Sequence, residues 1–210
     1  MLKSFLIEIS SNPLIARIDK NLFSTKLLDW NDIENYLNDY LHHSKIEIID
    51  SNGLKVPLFK KEIPWGTTYD MDVIYNHITN GRAFVLVSMN RFNKSINQLC
   101  ELIETYTKSN ADVHIYAGLS NQSNSFSIHC DRLNNVIIQL DGKSDWKVWD
   151  QQKPNNDAVP IIDQVLNPGD CLYIPKHCYH QCIPLGKRIS ISIPYGKNEK
   201  TNRKWYNFNA

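Results

Sequence analysis

The chain has 210 residues, 42% of them hydrophobic, and its 23 basic and 22 acidic side chains leave a formal net charge of +1. That length buries one good core rather than two full domains, and so even a charge gives no electrostatic reason to expect nucleic acid or an anionic membrane as partner. No apolar run is long enough to span a bilayer and MLKSFLIEISSNPL is too short and interrupted for a secretory signal; with five cysteines (Cys100, Cys130, Cys171, Cys178, Cys182), an odd number that suits reduced thiols, a cytoplasmic protein is expected.

In chain order, the segment NDIENYLNDYL places Ile33, Tyr36, Leu37, Tyr40 and Leu41 on one helical face, with Asn31 and Glu34 spaced as a capping box. DMDVIYNHITNG predicts a shorter helix closed by Gly81, and RAFVLVSM a short buried strand. NKSINQLCELIETYT carries Ile96, Leu99, Cys100, Ile103 and Tyr106 at helical spacing. From about Asp112 the texture changes to closely spaced short strands: DVHIYAGL, SFSIHC, NVIIQLDG, DWKVWD, QVLNPGDCLYIP, HQCIP and RISISIPY. Separated by Asn, Gly, Pro and Asp, they predict a mainly β protein, a sandwich or jelly-roll barrel with the helices as an N-terminal layer. One domain over 1–210 is expected: a helical and strand layer at 1–110, a barrel core at 111–196 and a tail at 197–210.

Residues i and i+2 of a strand share a face, so His129 and Asp131 project together and Cys130 points away. NPGDCLYIPKHCYHQC adds a Pro-Gly-Asp turn at Pro168–Asp170, an apolar strand and then His177 and His180, either of which offers a third ligand. Two histidines and one carboxylate on one side of a metal leave positions open, the arrangement suited to non-haem Fe(II) oxygenases. Zinc hydrolysis uses similar ligands but also a general base, and no HExxH motif is present. A zinc site built from His177, Cys178, His180 and Cys182 is too crowded in sequence for a regular tetrahedron.

HCDRLNNVIIQLDGKSDWKVW followed by LNPGDCLYIPKHCYHQCIPLGKRISISIPY resembles the JmjC or cupin-like branch of the Fe(II)/2-oxoglutarate oxygenases. The likeness is greatest to the ribosomal-protein hydroxylases and the asparaginyl hydroxylase that inhibits hypoxia-inducible factor, and it covers Asp112 to Tyr195. It implies a double-stranded β-helix, with His129, Asp131 and His180 as iron ligands and catalytic centre, and 2-oxoglutarate and O2 as cosubstrates. His177 then becomes a loop residue. The Lys or Arg that usually binds the distal carboxylate of 2-oxoglutarate, fifteen residues after the first His, is replaced by Ser144, and strand alternation turns Lys143 and Lys147 to the opposite face. The last strand offers a substitute, since Arg188, Ser190 and Ser192 share one face and other branches of the superfamily draw their anchoring arginine from this strand. Arg188 either pairs with the cosubstrate carboxylate, helped by a Ser hydroxyl, or faces solvent at a strand start. Asn135 matches a position that contacts the cosubstrate or metal-bound ligands in the asparaginyl hydroxylase, and is otherwise a turn residue.

The expected activity is hydroxylation of a protein or peptide side chain. The ribosomal hydroxylases carry further regions after the barrel where this chain ends at GKNEKTNRKWYNFNA, so a small peptide, a free amino acid or another small molecule competes as substrate. A non-catalytic metal-binding cupin-like module and an iron dioxygenase independent of 2-oxoglutarate are the alternatives, with Ser144 as their support. Lysine demethylation is expected less, because no reader or zinc module is present. Trp205 and Tyr206 either serve a partner surface or cover the barrel end, and oligomeric state is unreadable.

Overall fold

The computed structural model describes residues 2–23, 26–38, 45–64 and 66–196. Tyr40, Leu41 and the 197–210 tail with Trp205 and Tyr206 lie outside the described residues. The elements in chain order are α1 (Leu2–Ser11), β1 (Arg17–Asp19), α2 (Trp30–Asn38), β2 (Ile46–Ile49), β3 (Lys55–Val56), β4 (Lys60–Ile63), β5 (Gly66–Tyr69), α3 (Met71–Thr79) and β6 (Ala83–Leu86). Then come α4 (Lys94–Thr107), β7 (His114–Gly118), β8 (His129–Cys130), β9 (Asn134–Asp141), β10 (Ser144–Val148), β11 (Ile162–Leu166), β12 (Cys171–Ile174), β13 (Tyr179–Pro184) and β14 (Arg188–Tyr195).

Two antiparallel sheets face each other, one in the order β1-β12-β9-β14-β7-β6-β2-β3 and one in the order β11-β10-β13-β8. From β7 onward the chain alternates between them except at the β10–β11 pair, with β7, β9, β12 and β14 in the larger and β8, β10, β11 and β13 in the smaller, which is the double-stranded β-helix. The outer face of the larger sheet, with Ile115, Ile138, Ile189, Ile191 and Ile193, packs under the apolar stripes of all four helices. A second core between the sheets joins Ile137, Trp146, Val148, Leu166, Leu172 and Ile174 and fills one end of the barrel. The other end is polar.

The helix face Ile33, Tyr36 and Leu37 is buried as the spacing predicts, but its capping box is not Asn31–Glu34. Asp32 N donates to Asp29 Oδ1 at 3.0 Å and Asp29 N to Asp32 Oδ2 at 2.8 Å. The helix therefore starts earlier, at Trp30, whose indole N–H donates to Asp141 Oδ2 at 2.7 Å and fixes the helix end on the barrel. In α4, Asn93 caps by accepting from Ile96 N at 3.1 Å, and Ile96, Leu99, Cys100 and Ile103 are buried. QVLNPGDCLYIP divides into β11 and β12, joined by the Asn167–Asp170 turn.

That turn explains Asp170, a carboxylate that is 1% exposed. It accepts from Asn167 N at 2.8 Å, from Asn21 N at 2.9 Å and from Lys20 Nζ at 3.1 Å, tying the segment after β1 to the barrel. Burial pushes its pKa up, but those donors outweigh burial and hold it below the ordinary carboxylate value. A carboxyl group lowered on folding adds stability above its unfolded pKa, and that stability is lost as pH falls through the folded one. Asp170→Asn is expected to cost about 1.5–3 kcal/mol at pH 7. The difference should shrink below about pH 4, the ordinary Asp range; urea denaturation of both proteins at pH 7 and pH 3 checks this.

Gly142, at φ +64° between β9 and β10, holds a second close approach. A Cβ there would collide with Lys187 O, beside Arg188. The absence of a side chain lets this turn bear on the start of β14.

Candidate functional site

Two short devices set the candidate metal ligands. β8 pairs with β13 so that His129 lies directly opposite His180. Asp131 follows β8 immediately, and its carbonyl accepts from His177 N at 2.7 Å, which ties the two ligand-bearing segments together. His177 itself sits at φ +68° in that turn with its side chain exposed, so it is a loop residue as expected.

His129, Asp131 and His180 offer ligand atoms all within 4.8 Å of one another. The imidazole centroids stand 4.3 Å apart, and His180 Nε2 lies 3.7 Å from Asp131 Oδ2. Each ring's Nδ1 faces a main-chain carbonyl two residues earlier, His129 to Ser127 O at 2.7 Å and His180 to Cys178 O at 3.0 Å. A carbonyl only accepts, so Nδ1 carries the proton in both rings and each Nε2 lone pair is free for a metal. Burial, then the neighbouring His129, lowers the pKa of His180 and favours the neutral ring. The crowded zinc alternative does not assemble: Cys178 is buried in the apolar core between the sheets and His177 points outward.

The triad opens on a cavity that communicates with solvent. Its floor is β14, where Arg188, Ser190 and Ser192 share the inward face while the isoleucines pack outward under the helices. A strand that reads as half solvated is thus buried on both sides, its polar face lining an internal cavity. Arg188 is only 1% exposed, which removes the solvent-facing reading. Its Nη1 donates to Ser190 Oγ at 3.3 Å, whereas Nε and Nη2 are buried without a hydrogen-bond partner. Buried donors are almost always paired and an unpaired buried charge is costly, so this guanidinium calls for an anionic ligand.

Ser144 and Ser190 do not present free hydroxyl protons. Both donate to Gln139 Oε1, at 3.1 and 2.8 Å, and the Gln139 amide is oriented by Nε2 donating to Asp141 O at 2.7 Å. Gln139 owes its place to a bulge at Leu140, which β14 skips in pairing Ile189 with Asp141 and Ser190 with Gln139. Toward the triad, Ser192 Oγ donates to Asn135 Oδ1 at 2.9 Å, and Asn135 Nδ2 reaches toward Asp131 Oδ2 at 3.5 Å. Asn135 is therefore a strand residue beside the triad, not a turn residue. Lys147 faces Asp163 on the outer side of β10 and Lys143 is exposed, so neither enters the cavity.

Sequence reasoning passed over four contributors. Tyr116 and Phe126 line the wall beside His129, the Phe126 ring standing edge-on 5.5 Å from the imidazole. Burial, with Asp131 and Glu47 adding to it and Arg188 opposing, raises the Tyr116 pKa well above its ordinary value, so the phenol keeps its proton. Trp146, whose ring lies nearly parallel to His180 at 6.3 Å, and Gln139 complete the set. The legible signal for both is an aromatic or amide side chain on the inward face of a predicted strand.

The JmjC domain family matches residues 85–203, more than half of the chain and all of the site. The bifunctional lysine-specific demethylase and histidyl-hydroxylase NO66 of Drosophila grimshawi is 23% identical over 187 residues, 82% of this chain and 25% of that protein. Its Dictyostelium discoideum counterpart is 24% identical over 134 residues, 57% of this chain and 26% of that protein. The Escherichia coli ribosomal oxygenase YcfD, in complex with cobalt and 2-oxoglutarate, shares the fold with a TM-score of 0.66 at 16% identity, over 89% of this chain and 49% of that one. The chain thus spans about a quarter of these NO66 proteins and about half of YcfD. The jelly-roll topology, the paired histidines with their carboxylate and the family match agree: this chain belongs to the JmjC domain family.

Proposed function

We propose that the chain is an Fe(II)- and 2-oxoglutarate-dependent oxygenase that hydroxylates a side chain of a protein or peptide. The observation that carries this reading is the buried, half-unpaired Arg188 guanidinium in the same cavity as the His-Asp-His triad. A donor set of two neutral imidazoles and one carboxylate fits iron(II), and a buried cation a short way from it fits the far carboxylate of a 2-oxo diacid. Bound iron(II) would supply the activation of O2 that couples oxidative decarboxylation of 2-oxoglutarate to hydroxylation.

The chain's own part is holding, orienting and excluding water. His129, Asp131 and His180 hold the metal, with Asn135 and Ser192 steadying Asp131. Arg188 orients the cosubstrate, and the neutral Tyr116 hydroxyl, near both Arg188 and Asp131, is a further donor. Ile137, Trp146 and Phe126 keep the walls dry. The small Ser144 leaves room for a cation delivered from β14 in place of the usual one.

The Asp131 side chain is 43% exposed, so the metal site opens directly to the surface. That openness supports a macromolecular substrate over a small one enclosed on all sides. YcfD is named a ribosomal oxygenase and NO66 a histidyl-hydroxylase, which makes peptides of ribosomal proteins the first candidates. All five cysteines are free, which supports a reducing, cytoplasmic setting; among the described residues no helix is long and apolar enough to cross a membrane.

The test is incubation of the iron-loaded protein with 2-oxoglutarate and O2, following succinate by NMR and peptides by mass spectrometry. Succinate formation, with one oxygen atom gained by a ribosomal-protein peptide, is the expected result. Failure to consume 2-oxoglutarate with iron bound overturns the assignment.

A further inference from the structure

We propose that the indole N–H of Trp146 donates directly to the distal carboxylate of 2-oxoglutarate, forming with Arg188 the clamp that the usual Lys or Arg forms elsewhere in the family. This rests on the cosubstrate reading above.

The argument is a count of donors. An anion in this cavity needs hydrogen atoms to accept, and the Ser190 hydroxyl beside Arg188 and the Ser144 hydroxyl behind it have spent theirs on Gln139, which leaves Tyr116 and the unpaired N–H groups. Ser144 and Ser190 each carry one hydroxyl proton, and both protons go to the single oxygen of Gln139. Ser190 Oγ is thereby left as an acceptor for Arg188 Nη1. Gln139 is a positioning residue: it sets Ser190, and Ser190 sets the guanidinium with Nε and Nη2 uncommitted.

Among the residues lining the cavity, the buried side-chain donors without a partner are Arg188 Nε, Arg188 Nη2 and Trp146 Nε1. Trp146 is 6% exposed and follows Ser144 by two residues on the same inward face of β10. It is paired there with Cys182 of β13, itself a cavity residue close to Arg188. The other indoles of the described residues are satisfied, Trp149 by Ala158 O at 3.0 Å and Trp30 by Asp141 Oδ2 at 2.7 Å. A buried N–H left open in a fold that pairs its other indoles points to a partner that arrives with the ligand.

The test is anaerobic titration of the Fe(II)-loaded wild type and Trp146→Phe with 2-oxoglutarate and with 2-oxobutyrate, which keeps the 2-oxo acid and lacks the distal carboxylate. The readout is the visible charge-transfer band of the complex. Phenylalanine keeps an aromatic ring beside His180 and removes the donor together with part of the indole, a packing loss that the 2-oxobutyrate control reads separately. Affinity for 2-oxoglutarate should fall about 10- to 100-fold while 2-oxobutyrate binds both proteins alike. In the Zn(II)-loaded, 15N-labelled protein, the Trp146 indole resonance, identified by its loss in Trp146→Phe, should move with 2-oxoglutarate and stay with 2-oxobutyrate.

Equal 2-oxoglutarate affinity in the two proteins, or an equal loss for both ligands, overturns the role of Trp146 and leaves the cosubstrate reading intact. A wild type that binds iron but forms no complex with 2-oxoglutarate overturns the cosubstrate reading itself.

Discussion

Alanine at His129, Asp131 or His180 is expected to abolish turnover and to weaken metal binding by more than about 100-fold, the upper range for losing a mere outer-shell partner. Asp131→Ala is the cleanest of the three. Its carboxylate is nearly half exposed and its main-chain carbonyl, which His177 N uses, survives the substitution. The variant should therefore fold with stability within about 0.5 kcal/mol of wild type. His180→Ala also opens a void beside Trp146, so its loss of function mixes chemistry with packing. Calorimetric titration with Co(II), alongside thermal unfolding of the metal-free proteins, separates the two. Retention of wild-type metal affinity by Asp131→Ala would sink the assignment of the triad.

The three side chains can be grouped from the sequence because strand geometry is rigid enough to be read from spacing. The i, i+2 spacing anticipates Asp131 beside His129, although Asp131 arrives from the segment directly after β8, and the turn after the apolar strand β12 delivers His180 opposite His129. The barrel strands are legible for the same reason, being short apolar runs bounded by turn residues. What escapes depends on contacts that no spacing encodes. β4 and β5 pair Lys60–Ile63 with Gly66–Tyr69, β4 burying no residue and β5 only Thr68 and Tyr69, so they carry no apolar period. α1 is an amphipathic ten-residue helix whose burial of Phe5, Leu6 and Ile9 depends on the helices and sheet it meets. The α2 cap is the local Asp29–Asp32 pair, whereas the hydrogen bond from Trp30 to Asp141, 111 residues away, is a contact of this kind. Gln139 reads as a lone polar residue in an apolar strand, and only the bulge at Leu140 and the two serines give it a purpose.

Arg188→Met is expected to separate function from stability. Methionine approximates the buried stem and removes the charge. Without ligand, Arg188 is a buried guanidinium with two open donors, an arrangement that opposes folding unless an anion compensates it. The metal-free variant should accordingly unfold no more easily than wild type, and thermal denaturation should place its midpoint at or above the wild-type value. Binding should move the other way. Removing one partner of a buried, hydrogen-bonded charge pair costs about 2–5 kcal/mol, so 2-oxoglutarate affinity should fall by roughly 30-fold or more. A structural arginine predicts the reverse pattern, with lost stability and unchanged affinity, and that outcome would reject the anchor. The position of Ser144 makes a second step informative. Its hydroxyl and that of Ser190 meet on one oxygen of Gln139, so a cation grown from residue 144 reaches the same end of the cavity that Arg188 occupies. Ser144→Lys introduced into Arg188→Met should recover about ten-fold or more of the lost affinity, because the electrostatic requirement is a cation at that end and not a particular strand. No recovery in a double variant that folds and binds metal would mean that the planar, two-pronged geometry of arginine is itself required.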